Sequence, residues 1–277
     1  MKIGITGSSG MVGTYLTYKF EEQNVQVVRL TRSITSDEIK DLDVIINLAG
    51  ANINRRWTKK GKKQIYDSRI ITTRRLVNSI NALDSKPKLL ISTLATGFYK
   101  SFTNSNDVKQ QSETNYLSGD NFLHEVCDNW EQEAKMVKDT RLVIVRLGVV
   151  LSRDGGVLKK LLLPAKFGIG AWFGKGDQKI SWICMPDIYS AIKTFIENEN
   201  YSGAYNLTSP KTITLKNLVN YTLKKKINVK LSIPKIFAKL AMGESSSLIL
   251  ESQEIIPLRL LESGYVFNCE DLNSSNL

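Results

Sequence analysis

The sequence predicts an α/β fold: a doubly wound parallel sheet with a smaller α+β unit at its C-terminal end. Three observations predict it. Short apolar runs alternate with longer segments of helical periodicity as far as Leu147, the pattern of a parallel sheet with helices on both faces. Residues 43–48 are nearly continuous in apolar character, as strands buried on both faces are. The first apolar run ends in glycines spaced three apart, Gly7, Gly10 and Gly13, directly before a helical segment.

Taken in order, Ile3 and Ile5 mark the first strand and residues 11–20 the first helix. Of the three glycines between them, the first permits a tight turn. The second lets the backbone approach a pyrophosphate, and the third lets helix and strand pack closely. The helix start offers free N–H groups and a positive dipole end. The expected contacts of a bound dinucleotide are therefore Thr6, Gly7, Ser9, Gly10, Met11, Val12 and Gly13. Residues 25–30 form the second strand. Its end reads Thr31-Arg32-Ser33, without the acid that would accept hydrogen bonds from an NAD ribose. Arg32 is instead suited to a 2′-phosphate, which favours NADP over NAD; the alternative is an exposed loop arginine. Asp37 and Glu38 start a short helix.

Residues 43–48 form the third strand, running into Ala49-Gly50, whose small size leaves room for the cofactor; Leu48, Ala49 and Gly50 are expected cofactor contacts. Arg55, Arg56 and Trp57 fall in a loop. Residues 64–83 form a long helix with Ile65, Ile70, Ile71, Leu76, Val77 and Ile80 on its apolar stripe. Residues 88–94 form the fourth strand, 100–119 a polar loop over the site, 120–138 a helix and 141–147 the fifth strand. Beyond this point glycines loosen the pattern. Helical pieces are expected at 157–167, 187–198, 216–226, 234–242 and 254–262, a short strand at 204–208, and frayed residues at the end. This gives a nucleotide-binding unit over 1–151, to which later segments return, and a substrate-covering unit over 152–277.

The 277 residues are 42% hydrophobic, ordinary for a globular protein. No apolar run approaches the roughly 20 residues of a membrane span, and the first strand begins without a signal-peptide pattern. Cys127, Cys184 and Cys269 are widely spaced, with no metal pattern and no disulfide framework, so a reducing cytoplasm is the expected setting. The net charge of +11 suits an anionic cofactor and substrate. The basic runs Lys59-Lys60-Gly61-Lys62-Lys63 and Lys224-Lys225-Lys226 read as solvated faces. No basic strand interleaved with aromatics and no recognition helix supports nucleic-acid binding.

Several segments together resemble one family. Thr6-Gly-Ser-Ser-Gly-Met-Val-Gly13, Asn47-Leu-Ala-Gly50 and residues 92–99 resemble an extended short-chain dehydrogenase/reductase. Further stretches resemble its atypical branch, the nucleoside-diphosphate-sugar epimerase-like proteins with a C-terminal domain of unknown function. They include Arg55-Arg-Trp-Thr58, Asp67-Ser-Arg-Ile70, Arg146-Leu-Gly-Val-Val-Leu151, Asp154-Gly-Gly156, residues 174–182 and Glu262-Ser-Gly-Tyr-Val-Phe267. The resemblance implies a Rossmann-type fold, NADP binding, and oxidoreductase or epimerase-like action on a hydroxyl or carbonyl compound such as a nucleotide sugar.

The resemblance also exposes departures. Dehydrogenases of this kind use a Tyr and a Lys four residues apart, the Lys lowering the tyrosine pKa. Here the matching positions are Leu123 and Cys127, the cysteine being a mark of the atypical branch. Arg69 takes the place of the usual active-site Asn and is counted among the cofactor contacts. Leu94 replaces a second serine, Lys100 a glycine, Cys184 a histidine and Pro186 an acid, while Asp187 remains. Candidate catalytic groups are Ser92, with Thr93 beside it, Tyr99 as a substitute proton donor, and Cys127 as a thiol. Each has a structural alternative: strand-end hydrogen bonding, aromatic packing, a small buried hydrophobe. His124 falls off the apolar stripe, which suggests a surface role. Arg55, Arg56, Arg69 and Arg146 are either anchors for an anionic small-molecule substrate or ordinary ion-pair partners. No metal is expected, and a homodimer is one assembly the chain admits. Two functions stand: an enzyme with a non-standard active site, or a catalytically silent NADP-binding sensor or scaffold.

Overall fold

The computed structural model describes residues 1–223 and 229–272. In chain order its elements are β1 (Lys2–Thr6), α1 (Met11–Glu22), β2 (Gln26–Leu30), α2 (Ser36–Ile39), β3 (Val44–Asn47), α3 (Lys59–Asn81), β4 (Leu89–Ala95), β5 (Gln110–Gln111), α4 (Phe122–Lys135) and β6 (Arg141–Leu147). Then come β7 (Val149–Ser152), α5 (Gly156–Ala165), β8 (Ile169–Phe173), β9 (Lys179–Ile180), β10 (Trp182–Cys184), α6 (Met185–Glu197) and β11 (Gly203–Leu207). The last are β12 (Ile213–Thr214), α7 (Leu215–Leu223), β13 (Val229–Ile233), α8 (Lys235–Met242), α9 (Ser247–Leu250), β14 (Glu254–Ile255) and α10 (Leu258–Glu262).

Six parallel strands form the central sheet in the order β11-β6-β4-β3-β1-β2. The order reverses between β1 and β3, and open α/β sheets bind ligands outside the carboxyl ends of their strands at such a point. On one face Leu16 and Phe20 of α1 and Ile188, Ile192 and Phe195 of α6 pack on Ile3, Ile5, Ile46, Ile91 and Val145. On the other face, Leu76, Val77 and Ile80 of α3 cover Ile45 and Leu90. Ile65, Ile70, Val126 and Trp130 cover Leu94 and Ile144 beside them. Apolar side chains alternating to opposite faces of each strand are thus buried on both, which is why these runs carry so few polar residues. Polar caps fix the helix starts: Thr58 Oγ1 accepts from Gly61 N–H at α3, and Asn121 Oδ1 from His124 N–H at α4.

Around this sheet the chain adds four two-stranded pairs, β10-β7, β12-β9, β13-β8 and β14-β5. Residues 100–119 are not a free loop. Phe102 bridges Ser252, Tyr99 bridges Ser118, and β5 pairs with β14. The helix expected over 254–262 is shorter than its periodicity suggested. Glu254–Ile255 is a strand, and α10 starts only after Pro257, which has no N–H to extend it backwards. The helix expected over 216–226 is described as α7, ending at Leu223; Lys224-Lys225-Lys226 and the final residues 273–277 lie outside the described residues.

One expectation is overturned. Cys184 and Cys269 form a disulfide across 85 residues of sequence, and the inference of a reducing compartment loses its cysteine argument. The residue that stands in place of the family's histidine is one half of this bridge. Spacing could not reveal it, because the two cysteines meet only when the C-terminal segment folds back over the start of α6. Asp187, fully buried, secures the same junction: it accepts hydrogen bonds from the N–H groups of Asn268 (2.6 Å) and Cys269 (3.0 Å). Among the described residues no helix is long and apolar enough to cross a membrane.

Candidate dinucleotide site

The site is built on the turn from β1 to α1. Gly7 has φ +65°, and a Cβ there would lie 2.6 Å from Leu48 O. The glycine turn and the end of β3 therefore touch. Gly13 is tighter still: its Cβ would lie 2.3 Å from Gly7 O. Gly10 differs, since a Cβ there would meet only Gly7 O, at 3.2 Å. Gly10 and Ser9 are exposed, with Met11 and Val12 half-buried behind them.

Gly10 caps α1 without a side chain, the first turn holds no acid, and the first helical bond runs from Thr14 N–H to Gly10 O. The N–H groups of Met11, Val12 and Gly13 thus have no protein partner among the described residues. This edge suits a phosphate. From the second half of the chain Gly155 closes on it, a Cβ there falling 2.6 Å from Met11 Sδ.

Arg32 lies on the same edge. Thr6 pairs with Leu30, so the segment after β2 emerges beside the glycine turn. Thr31 and Ser33 share a hydroxyl contact of 3.1 Å, and Arg32 is exposed without an ion-pair partner among the described residues. At the end of β3, Ala49 is buried and Gly50 exposed. Arg69 backs Gly50, its guanidinium 2.9 Å from where a Cβ would be. It donates to Ala51 O and Ile65 O and lies over the Trp130 ring. Burial pulls its pKa down, and the nearby Cys127 sulfur opposes the fall.

Thr6 acts inside the protein. Its hydroxyl donates to Asn47 Oδ1 (2.7 Å) and accepts the N–H groups of Leu48 and Ala49. Asn47 in turn donates to Thr73 Oγ1 and approaches Ser92 Oγ at 3.4 Å, while Thr73 also accepts Trp130 Nε1–H. Thr93 donates to Asn47 O. This network locks the carboxyl ends of β1, β3 and β4 together. Sequence reasoning missed Asn47 and Thr73 as its centre. The available signal was an amide inside the apolar run Val-Ile-Ile-Asn-Leu, which must find partners when buried.

The catalytic candidates are placed away from solvent. Ser92 is fully buried within that network. Tyr99 is fully buried too. Its hydroxyl donates to Asn206 Oδ1 (2.6 Å) and accepts from Arg146 Nη1 (2.8 Å), and burial pushes its pKa up to about 12 against the pull of Arg146. A group so enclosed and partnered is not a ready proton donor to an outside substrate. Cys127 is buried with its thiol pushed up to about 11 by burial, the opposite of a reactive thiolate. Both Leu123 and Cys127 abut Gly97, whose Cβ would lie 3.1 Å from Leu123 Cβ and 3.4 Å from Cys127 Sγ. The places of the usual Tyr and Lys are thus closed against the exit of β4.

Arg146 is neither a surface ion pair nor a substrate anchor. It is 4% exposed, forks onto Glu131, and stacks 3.6 Å over the Phe98 ring. His124 is half-buried: Nδ1 donates to Phe98 O (2.6 Å), which leaves Nε2 to accept from Ser118 Oγ (3.1 Å). It joins the turn after β4 to the segment before α4. Of the basic run at the start of α3, Lys62 pairs with Glu244 and Lys63 with Asp67.

A Rossmann-like sheet with a glycine turn at its switch point defines a class of nucleotide-binding proteins. The profile of the NAD dependent epimerase/dehydratase family matches residues 3–208, and that of a domain of unknown function, DUF1731, matches residues 233–275. The chain belongs to the NAD dependent epimerase/dehydratase family. It is 34% identical over 290 residues to an epimerase family protein of Staphylococcus haemolyticus, covering 97% of this chain and 95% of that one. A human epimerase family protein solved with NADPH superposes with a TM-score of 0.87 at 28% identity, over 99% of this chain and 97% of that chain. A nucleoside-diphosphate sugar epimerase of Corynebacterium glutamicum superposes at 0.79 with 26% identity, over 99% of this chain and 57% of that one.

Proposed function

We propose that this chain binds NADP(H) at the β1–α1 turn and serves as an oxidoreductase or epimerase-like enzyme on a hydroxyl or carbonyl compound. The observation that carries the reading is one edge of the sheet. There the N–H groups of Met11, Val12 and Gly13 are free among the described residues at a turn that touches Leu48 at the end of β3, and Arg32, exposed and without an ion-pair partner among the described residues, follows the strand paired with β1. The N–H groups would hold the pyrophosphate, and Arg32 the 2′-phosphate that distinguishes NADP from NAD. Arg69, held by Ala51 O and Ile65 O, sets the floor beneath Gly50. A nicotinamide group supplies hydride transfer when bound. The human relative solved with NADPH supports the choice of cofactor.

A second reading, a silent NADP-binding protein, is favoured by the burial of Ser92, Tyr99 and Cys127 and by the engagement of the Tyr99 hydroxyl with Asn206 and Arg146. Calorimetric titration with NADPH and NADH tests the cofactor. Arg32→Ala is expected to weaken NADPH binding by about 1.5 kcal/mol or more, as for a lost charge-assisted hydrogen bond, and to leave NADH almost unchanged. Equal losses for both cofactors would refute the role of Arg32. Loss of reduced-nicotinamide absorbance with any of a panel of carbonyl compounds decides for the enzyme. Tight binding with no turnover across the panel moves the weight to the silent protein.

A further inference from the structure

β8 and β13 form a parallel two-stranded ribbon separate from the central sheet. Its register sets Ile169 beside Val229, Ala171 beside Leu231 and Phe173 beside Ile233, so these six apolar side chains share one face. On the opposite face Gly170 and Trp172 are buried under α7, where a Cβ on Gly170 would lie 2.6 Å from Leu223 Cδ1 and 2.9 Å from Val219 Cγ1. The apolar face is left open: Val229 is 54%, Leu231 47% and Ile169 37% exposed. Val229-Lys-Leu-Ser-Ile233 thus alternates as a half-buried strand does, yet its apolar residues are turned toward solvent.

β13 has no strand on its other edge among the described residues. Val229 N–H donates to Gly168 O, and Ile233 O accepts from Gly174 N–H. Backbone groups alternate in direction along a strand, so those of Lys230 and Ser232 point to the open edge. Such an edge is a template for another strand, and β13 is complementary to itself. In an antiparallel pair centred on Leu231, Leu231 meets Leu231 of the second copy, Val229 meets Ile233 and Lys230 meets Ser232. Apolar residues then stay on one face, no lysine meets a lysine, and the hydrogen-bonded positions are Lys230 and Ser232, whose backbone groups are free. A centre at Lys230 would oppose like charges, and a centre at Ser232 would set Lys230 against Pro234, which has no N–H. The same arrangement carries α8, which begins at Lys235, alongside the start of the other ribbon. Ile236, Phe237 and Leu240 of α8 are 55%, 58% and 67% exposed, and Phe167 before β8 is 78% exposed. With Ile169, Val229 and Leu231 these side chains offer on the order of 600 Å2 of apolar surface, most of the roughly 800 Å2 that each partner gives to a standard interface.

We infer that two copies of this chain associate through β13, joining their ribbons into one four-stranded sheet. The test is sedimentation equilibrium of the full chain over a micromolar concentration series, where the wild type should be a dimer. Leu231→Lys sets two like charges against each other at the centre and should weaken association about ten-fold or more. Leu231 is half exposed, so the variant should melt as a folded monomer does, and the melt checks it. A second pair of variants reads the register. Ser232→Glu places a carboxylate opposite Lys230 of the other copy, and Ser232→Lys places an ammonium there. Both lose the same hydrogen bond from Ser232 Oγ to Gly174 O, so the difference between them reports the cross-strand charge. The glutamate variant should associate about five-fold more tightly than the lysine variant, or better. A wild type that is monomeric throughout, a dimer that Leu231→Lys leaves intact, or equal association of the two Ser232 variants would overturn the proposal. A monomer that binds phospholipid vesicles, and loses them in Leu231→Lys, would assign the apolar face to a lipid surface instead.

Discussion

Arg146 shows how a single side chain changes meaning once its surroundings are known. Along the sequence it is one arginine among many; in the fold its guanidinium lies between Glu131, Tyr99 and the Phe98 ring. Glu131 and Arg146 are 3% and 4% exposed, so neither charge can turn to water for compensation. Removing one partner of such a pair leaves the other buried and uncompensated. Glu131→Ala is expected to cost about 3–5 kcal/mol in urea denaturation, because Arg146 is left buried without its counter-charge; the half-exposed Lys135 loses its partner too but adds little. A loss below about 1 kcal/mol, the size of an exposed pair, would mean that water reaches Arg146. The same isolation bears on Tyr99: its hydroxyl is spent on Asn206 and Arg146, joining the exit of β4 to the edge strand β11. Nothing in residue type or spacing pairs position 131 with 146, or 99 with 206, and such contacts became visible only in three dimensions.

At the scale of elements, the glycine turn separates two roles that one motif usually merges. Gly13 is a packing position. An alanine there would press on Gly7 O at 2.3 Å and Ser8 Cα at 2.7 Å, both backbone, so the turn would have to open. Gly10 is an approach position, with φ −77° and only Gly7 O nearby. Gly13→Ala is therefore expected to lower stability by about 1–3 kcal/mol, as overpacking does, and to lose NADPH affinity with it. Gly10→Ala should cost less, about 0.5–1 kcal/mol, since the one close atom is Gly7 O at 3.2 Å and alanine is a poorer cap for α1, while weakening NADPH. Equal destabilisation by both would contradict the division. The turn was legible in the sequence because its geometry is local. The central strands and the helices α1, α3, α4 and α6 were legible too, since burying both faces of a sheet writes its periodicity into the chain. The pairs β12-β9 and β14-β5 were not: each strand has two residues, too few for any period. Residues 254–262 misled for a related reason, their apolar spacing being shared between a strand and a helix on either side of Pro257.

The whole molecule is closed by its C-terminal segment, which folds back over the start of α6. Cys269 and Leu272 enter a core with Trp182, Leu151, Leu158 and Leu218. Ser209 Oγ donates to Cys269 O, and Lys211 pairs with Asp271. Asp187 receives the backbone of Asn268 and Cys269, as a carboxylate in the first turn of a helix is well placed to do. The Cys184–Cys269 bridge ties this junction across 85 residues, enclosing α6, β11, α7 and α8 in one loop. In the chain-entropy account a cross-link stabilises by restricting the unfolded chain, more so for long loops, typically by about 2–4 kcal/mol. The double variant Cys184→Ala/Cys269→Ala is expected to lose that amount in urea denaturation under oxidising conditions. A dithiol reductant should cause a similar loss in the wild type and none in the variant. NADPH affinity should stay unchanged in both, because the glycine turn is built from β1, α1 and the end of β3. A variant as stable as the wild type would show that Asp187 and the buried apolar groups hold the segment without the bridge. A fall in NADPH affinity would show that the clamp on α6 is coupled to the dinucleotide site through the face of the sheet that α6 and α1 cover together.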